Sequence, residues 1–117
     1  MPAGENLTAR GVDRRRRLGI FALAVGVLAA AALIALHAPR WTRGLLVVPF
    51  GIGIAGVLQA RERTCVALAA VSMREEPDGS YCSVSAADTG RARRVAAWIL
   101  VRALAGGAVV AFAAWLI

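Results

Sequence analysis

Hydrophobic residues in this chain are concentrated in three long stretches, which are separated by segments rich in charge, glycine and proline. The stretches cover residues 18–38, 44–60 and 95–117 and are 21, 17 and 23 residues long. A bilayer core of about 30 Å is crossed by roughly 20 helical residues, so each stretch predicts a transmembrane helix. We therefore expect an all-α membrane protein with a helical hairpin followed by a third helix.

Arginines determine the predicted orientation, because basic residues are retained on the cytoplasmic side of a membrane. Five precede the first stretch and six lie between the second and third, whereas the first connection carries two and the C-terminus none. The N-terminus and residues 61–94 are thus predicted to be cytoplasmic, with the C-terminus outside. The residues that set this topology are Arg14, Arg15, Arg16, Arg17, Arg61, Arg63, Arg91, Arg93 and Arg94.

The same pattern divides the chain into four parts. Residues 1–17 are expected to form a flexible basic arm, residues 18–60 a transmembrane hairpin, residues 61–94 a cytoplasmic segment, and residues 95–117 the third span. The first apolar run after four arginines also resembles a signal peptide, but its length and its lack of a small-x-small cleavage site favour an uncleaved span.

Within the cytoplasmic segment, residues 64–73 either extend the second helix or lie on the membrane surface. The following residues, 75–79, predict a turn, and residues 80–84 a short strand. Ser85 with Asp88 three positions later predicts the start of the third helix before residue 95.

Composition restricts the class of protein further. The net charge of +7 suggests nucleic acid in a soluble chain, but 59% of the residues are hydrophobic and the arginines flank the apolar stretches. We expect the lipid bilayer, including anionic lipids, to be the partner, and no nucleic acid. Every basic residue is arginine and alanine is abundant, which is typical of a GC-rich bacterial genome. Together with the three spans, this leads us to expect a multi-pass protein of the bacterial inner membrane.

Small residues predict how the first two spans contact each other, because they let helix backbones approach closely in lipid. We expect one face from each span to meet, and the third span has a similar face that packs on the hairpin or on another copy of the chain. The residues are Gly19, Ala22, Gly26, Ala30 and Leu33 on the first span, Pro49, Gly53, Gly56 and Ala60 on the second, and Ala103, Gly107 and Ala111 on the third. Pro49 is expected to kink the second helix. The string G-x-G-x-x-G at residues 51–56 lacks the strand and acidic residue of a dinucleotide site, so we interpret it as helix packing.

Arg102 is the one charged residue inside a predicted span, and such charges are functional candidates by default. It lies one turn after Trp98, which favours a cation–π contact or an interfacial position. Three interpretations remain: a side chain that reaches back to the headgroups, a pair with a carboxylate such as Glu62 or with a partner chain, and a substrate or ion site.

The chain has two cysteines, Cys65 and Cys82, both on the predicted cytoplasmic side. A reducing compartment argues against a disulfide, and the absence of a nearby histidine argues against a metal site. Arg61 and Arg63 precede Cys65, and positive charge favours the reactive thiolate. No catalytic constellation is present in the sequence, so we expect neither an enzyme nor a cofactor.

Residues 6 to about 70 resemble a family of small inner-membrane proteins of unknown function, which includes the membrane segment of the membrane-anchored rhodanese. The resemblance rests on Asn6, the arginine run into Leu18 and Gly19, the hairpin marked by Trp41, the glycine-rich second span and Cys65. Family members usually have Cys-Pro after the second span, where this chain has Cys65-Val66, and the third span is additional. The resemblance implies a paired-helix membrane module that self-associates, without an established activity.

Three functional hypotheses follow. The first is an accessory or scaffold subunit of a membrane complex, or a homo-oligomer. The second is a transporter or channel component in which Arg102 lines the path. The third is a thiol-based redox sensor that uses Cys65 and Cys82.

Overall fold

The structure is a computed structural model that describes residues 5–117, and it is mainly helical. Four α-helices and a two-stranded hairpin follow one another along the chain. Their bounds are α1 (Ala9–Ala35), α2 (Val47–Glu62), α3 (Val66–Ala70), β1 (Met73–Glu75), β2 (Tyr81–Ser83) and α4 (Ala86–Leu116), with a 3-10 helix at Arg40–Leu46 before α2.

Three helical segments are long and apolar enough to cross a membrane. They are Ala9–Ala35, Arg40–Glu62 and Ala86–Leu116, with mean hydropathies of 2.6, 1.6 and 2.0. These segments contain most of the predicted spans, but the first begins nine residues before residue 18 and the third nine residues before residue 95. The all-α class with three long apolar helices therefore agrees with the pattern in the sequence.

The early start of α1 corrects one prediction. Residues 9–17, which we expected to belong to a flexible arm, form the first turns of the helix. Thr8 caps them, because its side chain accepts a hydrogen bond from the backbone N–H of Gly11. Residues 1–4 of the predicted arm lie outside the described part of the chain. The basic run is therefore a helical extension of the first span.

The connection between the first two spans is longer than the predicted turn. Residues Arg40–Leu46 form a 3-10 helix that follows Pro39, and α2 begins only at Val47. Pro49 is thus the third residue of α2, in its first turn, where a helix tolerates proline. The kink at Pro49 stays a prediction.

The helix α2 lies between α1 and α4, and the molecule is a thin layer with extents of 51 × 24 × 17 Å. The predicted small faces of α1 and α2 meet. A Cβ atom on Gly19 would lie 2.8 Å from the carbonyl oxygen of Gly53, and one on Gly56 would lie 2.8 Å from the Cα of Gly19. A Cβ atom on Gly26 would lie 3.0 Å from a ring carbon of Phe50. Backbone contact between these helices therefore requires the absence of a side chain.

The small face of α4 packs on the other side of α2. A Cβ atom on Gly107 would lie 3.0 Å from the carbonyl oxygen of Val47, and Ala103 approaches Gly51 through its carbonyl oxygen. Ala111 belongs to a buried cluster with Leu46 and Ala114, against which Ala30 and Leu33 of α1 pack. The small face of α4 was predicted to pack on the hairpin or on another copy of the chain, and in the structure it packs on the hairpin.

One end of the layer contains the start of α1, the connection from α2 to β1, the β1–β2 hairpin and the start of α4, and we call it the arginine-rich end. The helix α2 ends at Glu62 because Arg63 has a left-handed backbone with φ of 52°. Residues 64–73 therefore do not extend α2. The strands β1 and β2 pair antiparallel with Arg74 opposite Cys82, and the side chain of Ser85 caps α4 by accepting from the N–H of Asp88.

Candidate functional site

Asn6 fastens the chain before α1 onto the connection after α2. Its side-chain amide donates to the carbonyl oxygen of Cys65 at 3.1 Å, and its side-chain oxygen accepts from the backbone N–H of Cys65. The backbone N–H groups of Asn6 and Leu7 both donate to the carbonyl oxygen of Arg63. Asn6, Leu7 and Cys65 are buried. A buried amide that satisfies both backbone groups of one residue fixes the two segments in a single register.

Glu75 fastens the same segment to the hairpin. Its carboxylate accepts from the backbone N–H and the hydroxyl of Thr8, and it forms an ion pair of 3.0 Å with Arg14. The backbone N–H of Glu75 donates to the carbonyl oxygen of Asn6. Burial by itself raises the pKa of the Glu75 carboxyl, but the hydrogen bonds from Thr8 and the charge of Arg14 outweigh it and lower the pKa below its usual value.

Cys65 lies at the centre of this end and is 1% exposed. A guanidinium nitrogen of Arg15 lies 3.0 Å from its sulfur atom. The sequence pointed instead to Arg61 and Arg63 as its basic neighbours, and both of these side chains are exposed. Arg15 reaches the thiol because α1 packs on the end of α2, whose Ala60 is buried in a cluster with Cys65.

Cys82 is part of a different group, on the hairpin. Its thiol donates to the carboxylate of Glu76 at 2.7 Å, and the Arg74 guanidinium nitrogen Nε lies 3.0 Å from the same oxygen and 3.1 Å from the sulfur. The hydrogen bond from Cys82 and that from Arg74 lower the pKa of the Glu76 carboxyl. Glu76 is therefore the shared acceptor that joins Cys82 and Arg74 across the hairpin. The two cysteines belong to separate clusters and are both free thiols.

A cleft of about 580 Å³ opens between the segment before α1 and the hairpin. Arg10, Arg63 and Arg74 line it together with Glu5, Glu75 and Glu76. Three positive and three negative side chains balance, and Glu75 and Glu76 already have basic partners in Arg14 and Arg74. The cleft therefore has no excess of either charge that would select an ion.

The other arginines that set the predicted topology have varied surroundings. Arg17 pairs with Asp13 at 3.0 Å on the surface of α1, and Arg93 donates to the carbonyl oxygens of Ala69 and Ala70 in α3. Arg16, Arg61, Arg63, Arg91 and Arg94 are exposed as well.

Arg102 lies on the outer surface of the layer, with its guanidinium carbon 5.5 Å from the ring centroid of Trp98. The cation–π contact is the one that the sequence spacing favoured. Glu62 and Arg102 line the same small groove between α2 and α4, but no ion pair joins them within the described residues.

Arg43 is the residue that reasoning from the sequence misplaced. We counted it among the arginines that flank the spans, but it is 6% exposed and its guanidinium donates to the carbonyl oxygen of Ala114 at 3.1 Å. Its positive charge lies at the C-terminal end of α4, where the helix dipole favours a cation. Arg40 lies over the ring of Trp115 at the same end. No pattern in the sequence predicts the burial of Arg43, because it depends on where α4 ends relative to the 3-10 helix.

No protein-family model, curated protein or solved structure shows a significant match to this chain. The resemblance to the small inner-membrane family stays a prediction. The structure adds that Asn6 and Arg15 both contact Cys65, and all three are positions that carry the resemblance.

Proposed function

We propose that this chain is a multi-pass protein of the bacterial inner membrane that acts as an accessory or scaffold subunit, in a membrane complex or as a homo-oligomer. The observation that carries the proposal is the wide apolar surface of the helix layer. Phe21 and Leu28 on α1 and Leu104 and Phe112 on α4 are among many large hydrophobic side chains that remain exposed. Water does not cover such a surface stably, whereas lipid or another helix does.

The orientation we propose places the arginine-rich end in the cytoplasm and Ile117 outside. The imbalance of eleven arginines against two in the connecting segments supports it. The arginine-rich end is also where polar side chains bond the segments to one another, as Asn6 and Glu75 do. That end is therefore the part of the molecule built to lie in water.

The state of association in mild detergent tests the proposal. We expect the full chain, purified with native lipid and measured by native mass spectrometry, to run with a defined number of chains. A phenylalanine at Ala108 on the exposed surface of α4, or at Ala24 on that of α1, is then expected to reduce association if that surface is the contact. A single chain with lipid alone, before any substitution, would contradict the scaffold role.

One observation favours the thiol-based alternative, namely the Arg15 guanidinium beside the sulfur of Cys65. If Cys65 is a sensor, its alkylation in open vesicles is expected to be faster than that of a free thiol. Arg15→Gln should slow the reaction, whereas Arg16→Gln, which alters an exposed arginine one position later, should not. Equal rates in the three proteins would remove this alternative. For transport through Arg102 we find no supporting feature, since that side chain lies on the outer surface.

A further inference from the structure

A small groove runs between the end of α2 and the first half of α4, on the surface of the helix layer. Its volume is about 130 Å³. The walls are Leu58, Glu62, Val95, Trp98, Ile99 and Arg102. The groove therefore combines an apolar floor with one acidic and one basic side chain.

The basic side chain has no charged partner among residues 5–117. Arg102 lies within Ala86–Leu116, a segment apolar enough to cross a membrane, and its described contact is with the ring of Trp98. Within residues 5–117 it makes neither an ion pair nor a hydrogen bond that would balance its charge. A guanidinium in an apolar span needs an anion or water, so its partner comes from outside the chain.

The acidic side chain lies at the opposite end of the groove. Glu62 is the last residue of α2 and lines the groove beside Val95, while Arg102 is seven residues beyond Val95, about 10 Å along α4. The two helices run in opposite directions, and side chains lean toward the N-terminus of their own helix. The carboxylate and the guanidinium therefore lean toward each other without forming an ion pair.

We propose that this groove binds the headgroup of a phospholipid with a primary amine, of the phosphatidylethanolamine class. The phosphate lies on Arg102, which binds phosphate oxygens in a forked geometry, and the ammonium group lies on Glu62. The carbons between the phosphate and the ammonium group lie over the apolar floor of Leu58 and Ile99. The inference rests on the proposed insertion of the three helices into a membrane.

Charge complementarity distinguishes this lipid from the other common classes. The phosphate of phosphatidylglycerol satisfies Arg102, but its glycerol is uncharged and offers Glu62 hydroxyl donors without a positive charge. A choline headgroup has a trimethylated nitrogen, which cannot donate a hydrogen bond to Glu62. The amine-bearing zwitterion is the headgroup that satisfies both ends of the groove.

Trp98, which is 63% exposed beside Arg102, provides the measurement. The full chain with Trp41→Phe and Trp115→Phe, so that Trp98 is the remaining tryptophan, is reconstituted in vesicles that contain one lipid class brominated on its acyl chains. We expect brominated phosphatidylethanolamine to quench Trp98 with an apparent affinity about two- to fivefold above that of the phosphatidylcholine and phosphatidylglycerol analogues, as for a partly exposed ion pair.

Three variants identify the contacts. Arg102→Gln is expected to abolish the preference for phosphatidylethanolamine, and Glu62→Gln to make the ethanolamine and choline lipids equal. Arg94→Gln, which removes an exposed arginine of the same helix outside the groove, should leave the preference unchanged. Circular dichroism of each variant checks that the helices are intact.

Equal quenching by all three brominated lipids, or strongest quenching by phosphatidylglycerol, would overturn the proposed headgroup site while leaving membrane insertion in place. A preference that Arg94→Gln alters as much as Arg102→Gln does would also overturn it. Absence of quenching by any of the lipids would instead contradict insertion itself, and the headgroup site with it.

Discussion

At the scale of single residues, Glu75 is the side chain that links the stability of the fold to pH. It is buried, and its carboxylate receives two hydrogen bonds from Thr8 and the charge of Arg14. These interactions lower the pKa of the Glu75 carboxyl despite its burial. The folded protein therefore stabilises the ionised form of the Glu75 carboxyl more than the unfolded chain does.

The pH dependence of stability follows from that shift. A carboxyl with a lowered pKa stabilises the fold fully above its ordinary pKa of about 4.3, and the contribution disappears as pH falls through the lower value of the folded state. We expect Glu75→Gln to reduce the free energy of unfolding in detergent by about 1–3 kcal/mol at pH 7. The difference from the native protein should shrink as pH falls from about 5 to 3.

An exposed carboxylate provides the control for this titration. Asp13 pairs with Arg17, but both side chains are more than half exposed, so Asp13→Asn is expected to change the free energy of unfolding by less than about 1 kcal/mol. A difference in the free energy of unfolding between the native protein and Glu75→Gln that stays the same at every pH would contradict the role assigned to Glu75.

Arg43 shows why residue-level prediction has a limit in this chain. Composition and position put it in a connection between spans, and the structure buries it against the last carbonyls of α4. The chain positions of Arg43 and Ala114 are 71 residues apart. Local sequence patterns report on neighbours within about one helical turn, so a contact of this range leaves no local signal.

At the scale of secondary-structure elements, the approach of α1 to α2 depends on glycine. A Cβ on Gly19 would lie within 2.8 Å of two backbone atoms of α2, and backbone does not move aside as a side chain does. Gly19→Ala is therefore expected to separate the helices and to lower the free energy of unfolding by about 1–3 kcal/mol.

A second glycine gives the opposite expectation and serves as the matched variant. Gly90 lies inside α4 with nothing within 4 Å of an added Cβ, so Gly90→Ala removes only the helix penalty of glycine. We expect a gain of about 0.5–1 kcal/mol in the free energy of unfolding. Denaturation of both variants in the same detergent measures the two signs, and destabilisation of equal size would contradict the close approach at Gly19.

The elements themselves follow from the sequence more reliably than their ends. Apolar length predicts the three long helices, and the spacing of Ser85 and Asp88 predicts the start of α4. The predicted start of α1 was wrong because its first turns are basic and carry no apolar stretch, although Thr8 is a good N-cap residue. The short helix Val66–Ala70 depends on the left-handed Arg63 before it, which no residue type at that position announces.

At the scale of the whole molecule, the proposed orientation is open to direct measurement. A cysteine placed at Gly79 on the hairpin turn is expected to react with a membrane-impermeant maleimide only after cells are lysed. One placed at Arg40 should react in intact cells, with Cys65 and Cys82 replaced by serine in both proteins. Labelling of the Gly79 position in intact cells would reverse the orientation that the arginines predict.

The candidate site could be predicted from the sequence only in its parts. The sequence identifies Cys65, Cys82 and Arg102 as unusual residues, and Trp98 as a neighbour of Arg102. It does not join Asn6 to Cys65, or Thr8 to Glu75, because these pairs are 59 and 67 positions apart. Their contact depends on α1 and α2 packing side by side, which brings both segments to one end of the layer.

The hydrogen bonds between Asn6 and its partners also have a consequence for the order of events during synthesis. Asn6 is synthesised 69 positions before Glu75, whose backbone N–H donates to the carbonyl oxygen of Asn6. At elongation rates of about 5–20 residues per second, that interval lasts roughly 3 to 14 seconds. The segment at Asn6 therefore stays undocked until the second span and residues 63–65 have been made, and its bond to Glu75 forms after that.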